Sequence, residues 1–162
     1  MNSNASNKYV LGLDSALLAF SVLKRLGAGN VGTFDERLKS QKIQYLAQVF
    51  GVSPAYHYSL YIHGPYSPSF ASDLFTIHAE KHNPDVSDFI ADELKEKFSS
   101  LSEFVIGKSN RQLELIATAH LFVKGLFYST EKTASKLKAW KGASEEEIKQ
   151  TLQALDKIPC LH

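Results

Sequence analysis

Apolar positions along the first third of the chain follow a helical period. Leu13, Leu17, Phe20 and Leu23 recur at spacings of four, three and three. Leu18, Val22 and Leu26 widen the stripe, and Ser21, Lys24 and Arg25 supply a polar side, so the pattern predicts an amphipathic helix. The glycine-rich stretch 27–32 ends it and reads as a flexible connection, because it lacks a phosphate-loop lysine and a preceding strand. Thr33 followed by Glu36 forms a capping box that opens a helix over 34–50. Leu38, Tyr45, Leu46 and Val49 are its expected buried stripe, while Arg37, Gln41, Gln44 and Gln48 fall on another face.

The period then changes. Tyr56, Tyr58, Leu60 and Ile62 alternate with His57, Ser59, Tyr61 and His63, which predicts a strand. Its partner is either Phe104-Val105-Ile106 or Leu126-Phe127-Tyr128. Gly64-Pro65 marks a stiff turn, and Ser67 followed by Pro68 reads as an N-cap with proline at the first helical position. A short helix over 69–80 should bury Phe70, Leu74 and Ile77, with Asp73 in its first turns. Pro84 separates it from a helix over 87–101. Ser109/Gln112 and Ser144/Glu147 form two further capping boxes, which open helices over 110–124 and 144–157. Between them Ser129 or Thr130 caps a helix over 130–141 that stops at Gly142. The expected fold is mainly α (α+β): one multi-helix domain over 9–162 with a small two-stranded β element, and a disordered segment at 1–8.

Composition agrees. The 162 residues are 44% hydrophobic and 22% charged, ordinary values for a chain able to bury its own core. A single cysteine, Cys160, forms no internal disulfide, and the polar first eight residues lack the basic and apolar regions of a secretory signal. These features predict a cytoplasmic protein with no membrane span. A net charge of +1, from 18 basic and 17 acidic residues, is not the footprint of bulk nucleic-acid binding.

Candidate chemistry is sparse. His78 and His82 stand four apart on a predicted helix, with His63 or Asp73 as conceivable third ligands, but Ala79 replaces the glutamate of a zinc-protease helix. The favoured reading is two surface histidines and no metal. No nucleophile elbow is present, and the paired carboxylates sit in early helical turns. No catalytic residue and no cofactor is expected. A site near Tyr45, His63, Tyr66 and Asp73 is the weakest alternative, an enzyme of unknown class. Lys132, Lys136, Lys138 and Lys141 make helix 130–141 basic, and within a C-terminal three-helix unit it is a candidate DNA-reading helix. A solvated face is favoured instead, since that helix has no arginine for guanine readout. The segment 56–67 is the most distinctive, concentrating Tyr56, Tyr58, Tyr61 and Tyr66 beside the Gly-Pro turn. Tyrosine gives large contact area at small entropic cost, which suits an interface with another protein.

At this loop the chain resembles a known group. Arg37, Gln41-Lys42-Ile43-Gln44-Tyr45-Leu46, Gly51, the Tyr-rich strand, His63-Gly64-Pro65-Tyr66-Ser67-Pro68 and Asp73-Leu74 resemble the YwgA-like prokaryotic proteins. Leu113-Glu114-Leu115-Ile116-Ala117-Thr118 and the Glu145-Glu146-Glu147-Ile148 helix start extend the resemblance over roughly 34–157. A helix with Lys42-Ile43-Gln44-Tyr45, then a strand and a Gly-Pro turn, is more distantly similar to the Panacea domain of SocA-like antitoxins. The present chain has Tyr61-Ile62-His63 where that pattern carries Ala-Trp. The resemblance implies a non-enzymatic regulatory module that binds another protein, by toxin neutralisation or as a proteolytic adaptor. The expected contact residues are Arg37, Gln41, Gln44, Tyr45, Tyr61, His63, Gly64, Pro65, Tyr66, Ser67 and Asp73.

Overall fold

The computed structural model describes residues 15–80 and 94–159. The fold is mainly helical with one two-stranded antiparallel sheet. Helix α1 covers 15–25 of the described residues. Next come α2 (Phe34–Val49), β1 (Ser59–Tyr61), β2 (Gly64–Tyr66), α3 (Pro68–Ala79) and α4 (Lys95–Val105). Then follow α5 (Asn110–His120), one turn of π-helix (Leu121–Gly125), α6 (Thr130–Lys141) and α7 (Glu145–Leu155). The expected disordered segment 1–8, Leu13, His82, Pro84 and Cys160 lie outside the described residues.

Start signals in the sequence act as expected. All three capping boxes form, at Thr33/Glu36, Ser109/Gln112 and Ser144/Glu147, and Ser67 and Ser129 cap α3 and α6. Each satisfies amides that the first helical turn leaves without partners. At the other ends, Gly51 and Gly142 take left-handed backbone, with φ of +78° and +59°. Helices α2 and α5 form the centre. Ile43 and Leu46 from one, and Leu113, Ile116 and Ala117 from the other, are buried in a core that also holds Phe20, Phe70, Leu101, Phe122 and Leu137.

Four expectations are corrected. The strand pairs with neither predicted segment. Ser59, Leu60 and Tyr61 face Tyr66, Pro65 and Gly64 across a two-residue turn, Ile62-His63. Gly64-Pro65 is thus the start of the return strand instead of the corner. Phe104 and Val105 are helical because α4 runs to Val105, beyond the predicted end at residue 101. Ser21, expected on a polar face, is buried and donates to Leu17 O at 2.9 Å, which satisfies it inside the helix. The glycine-rich connection is pinned: Gly29 N donates to Ser40 Oγ at 2.9 Å, and Gly29 O contacts the Nε2 of His78.

Candidate functional site

The polar face of α2 is where structure departs furthest from pattern. Every residue from Ser40 to Ala47 is buried. The polar members of that run are nevertheless hydrogen-bonded, and Gln41, Lys42 and Gln44, with half-buried Gln48 just beyond the run, fasten residues 53–67 onto the helix. Gln48 Nε2 donates to Tyr56 O at 3.0 Å. Gln44 Nε2 donates to Ser53 Oγ at 2.8 Å, and Ser53 Oγ donates to Gln44 Oε1 at 3.1 Å. Gln41 Nε2 donates to Ser67 O at 3.1 Å, while Gln41 Oε1 accepts from Ser67 N at 3.0 Å. One glutamine therefore satisfies both backbone groups of the residue that caps α3. A buried amide left without such partners costs roughly 1–3 kcal/mol, so these side chains hold register more than they add net stability.

Lys42 is the group that sequence reading missed. Its ammonium is buried and donates to Pro65 O at 2.7 Å. Burial pushes its pKa down to about 8; nearby Glu114 opposes that shift and Lys141 adds to it. Glu114 accepts from Lys141 at 2.7 Å, and Lys141 also donates to Ile62 O. Two ammoniums thus hold carbonyls on either side of Gly64, around one carboxylate. Gly64 fits because it has no side chain. Its φ is +89°, and a Cβ there would lie 2.5 Å from Thr118 Oγ1. The signal for Lys42 was present: it stands four residues after Leu38 and four before Leu46, within the predicted apolar stripe.

A second buried pair closes the other side. Tyr45 Oη and His120 Nδ1 are 2.7 Å apart. Burial raises the tyrosine well above its ordinary pKa and lowers the imidazole to about 4, so both are neutral near pH 7. Tyr56 Oη donates to Asp73 at 2.8 Å, and burial followed by that carboxylate raises its pKa. Asp73 lies past the first turn of α3, so its partner is this tyrosine instead of the helix dipole.

The expected contact residues therefore divide. Gln41, Gln44, Tyr45, Gly64, Pro65 and Ser67 are buried. Arg37 donates to Val31 O at 2.9 Å, and His63 stacks edge-on against Phe34 with centroids 5.2 Å apart. Tyr61 is exposed and packs edge-on against half-buried Tyr66. Tyr45, His63 and Asp73 are each held by a different partner, His120, Phe34 and Tyr56. Among the described residues no three His, Cys, Asp or Glu side chains are placed to share a metal.

A cleft of about 240 Å³ opens to solvent between α2 and α3, on the side of the hairpin where Tyr66 lies. Its lining includes Phe34, Arg37, Gln41, Tyr66, Leu74 and Phe75. Phe34 and Phe75 are each about half exposed, at 52% and 49%. Of the lysines on α6, Lys132 lies 3.9 Å over the Tyr128 ring and Lys136 lies 4.7 Å over Trp140. Lys138 is exposed, and Lys141 is committed to Glu114 and the hairpin. No helix among the described residues is long and apolar enough to cross a membrane. No family model, curated protein or solved structure matches the chain.

Proposed function

We propose that this protein is a non-enzymatic regulatory module that binds another protein through the cleft between α2 and α3. The observation that carries the reading is the pair of half-exposed phenylalanines, Phe34 and Phe75, at a small apolar cleft beside the hairpin. At about 240 Å³ the cleft is below the roughly 300–1,000 Å³ of small-molecule sites, and suits one inserted apolar side chain. Buried anchors of that kind carry most of the energy in protein interfaces. Arg37, held at the rim by Val31 O, supplies a guanidinium for a polar group of the partner. The hairpin wall is prefastened by Gln41 and Lys42, so little is left to order on binding. The resemblance to YwgA-like and Panacea proteins adds the narrower reading, an antitoxin-like role with a toxin as partner.

The test is affinity purification from the native host with the wild-type chain and a Phe34→Ala/Phe75→Ala variant of matched Tm. A stoichiometric protein partner retained by the wild type and lost by the variant supports the proposal. Equal retention by both, or salt-dependent retention of DNA with no protein partner, contradicts it.

A further inference from the structure

A second exposed surface lies on the far side of the hairpin tip, along α6. Lys132, Lys136 and Trp140 succeed one another at spacings of four on α6, and Tyr128 lies just before its N-cap, Ser129. Lys132 covers the Tyr128 ring, Lys136 covers Trp140, and Phe122 supports both rings, stacked on the first at 5.3 Å and edge-on to the second at 5.8 Å. At the Trp140 end, Leu60, Tyr61 and Ile62 of the hairpin complete an open apolar hollow of about 550 Å³ with the Lys141 stem. At the Tyr128 end stand Leu126 and Phe127. Phe127 is 88% exposed and has a φ of +56°, a left-handed conformation that bulky residues rarely adopt.

Among the described residues, five of the eight large apolar side chains left exposed belong to this strip or adjoin it: Tyr61, Ile62, Leu126, Phe127 and Trp140. Scattered exposed residues need no explanation, but a contiguous patch does. Neither Lys132 nor Lys136 has a carboxylate at ion-pair distance among the described residues. Apolar hollow and unneutralised cations are therefore adjacent on one face.

We propose that this strip docks an acidic segment of a protein partner, with an apolar side chain in the hollow beside Trp140 and carboxylates on Lys132 and Lys136. Single-stranded nucleic acid fits less well. Tyr128 has Phe122 stacked on it and Lys132 over its ring, so it offers bases no free platform. A phosphate backbone running along α6 must also pass exposed Glu131 and approach Glu145 and Glu146. A segment with two or three carboxylates needs to reach only the two lysines. This surface is separate from the α2/α3 cleft, so either reading can fail alone.

Trp140 is the sole tryptophan, so its emission reports this site directly. A random peptide library is panned on the full chain, and the selected peptides are titrated while Trp140 emission is followed. The same titration is run with an oligothymidylate and with phosphatidylserine vesicles. The proposal expects selected peptides rich in Asp and Glu beside an apolar residue, saturable change in Trp140 emission, and weakening by added salt. A Lys132→Ala/Lys136→Ala variant of unchanged Tm should bind roughly tenfold more weakly, the scale of a lost charge contact. Peptides without acidic enrichment, equal binding to the variant, or a stronger Trp140 response to oligonucleotide or vesicles would overturn it.

Discussion

Helices α2 and α6 look alike in their polar content and meet opposite fates. In α2 the run Ser40-Gln41-Lys42-Ile43-Gln44 is buried throughout, its ammonium included. In α6 only Thr133 and Leu137 are buried, and the lysines lie over rings or in solvent, except the one that turns inward. The difference is in what each helix faces. Helix α2 is covered by the segment 53–67, the short hairpin included, whose backbone groups need partners, and its glutamines and Lys42 supply them. Among the described residues, an α6 side chain makes such a bond at the helix end, where Lys141 reaches Ile62 O. The glutamines of α2 thus mark backbone that needs partners and the exposed lysines of α6 mark water, while the buried Thr133 hydroxyl of α6 has no hydrogen-bond partner among the described residues.

The sharpest way to break this contrast is at the segment itself. Gly64→Val forces a left-handed valine into a space where Thr118 Oγ1 lies 2.5 Å from the new Cβ. Strain and overpacking together should cost about 4 kcal/mol in urea unfolding. A loss under about 1 kcal/mol would mean that the hairpin does not sit on α5.

Next comes the carboxylate shared by the two helices. Glu114→Gln leaves Lys42 and Lys141 as like charges, both largely buried, and should destabilise by about 3 kcal/mol. It should also move the Lys42 midpoint down, since Glu114 is the group that opposes its lowering. An unchanged unfolding midpoint would return Lys141 to the solvated class of its helix.

A third effect depends on pH. His120, lowered by burial to about 4, is neutral in the fold and takes up its proton near 6.5 when unfolded. The unfolded chain binds more protons in that window, so this stability is present above about 6.5 and is lost as pH falls towards 4. The loss should be on the order of 3 kcal/mol by pH 4, read from unfolding curves at each pH. His120→Gln should lack that part of the acid sensitivity; an identical profile would assign the loss to other groups.

How much of this was legible follows from the same contrast. Local signals sufficed where the physics is local: the capping boxes, Ser67-Pro68 and the glycine stops specify helix ends through groups a few residues apart. The strand partner was not legible as written. Distant β-formers such as Phe104-Val105-Ile106 offer an equally good strand pattern, whereas Tyr61 and Gly64 meet across two residues, and a Gly-Pro at the start of a strand looks like a corner. Gln41 and Gln44 look like a surface because a glutamine declares a polar need without saying what meets it. Ser67 and Ser53 become visible as the answer only when the chain returns to α2.

The smallest effect completes the comparison. Lys138→Ala removes an exposed charge from α6 and should change stability by less than about 0.5 kcal/mol. A larger loss would mean that this face is covered in solution.

The most direct measurement is the titration of Lys42 itself, followed by the ¹³Cε chemical shifts of isotopically labelled lysines. The account predicts one midpoint near 8, absent in Lys42→Met, and well below the ordinary lysine value of 10.5. A Lys42 midpoint at 10.5 would show its ammonium in water, and the hairpin would then not be fastened to α2.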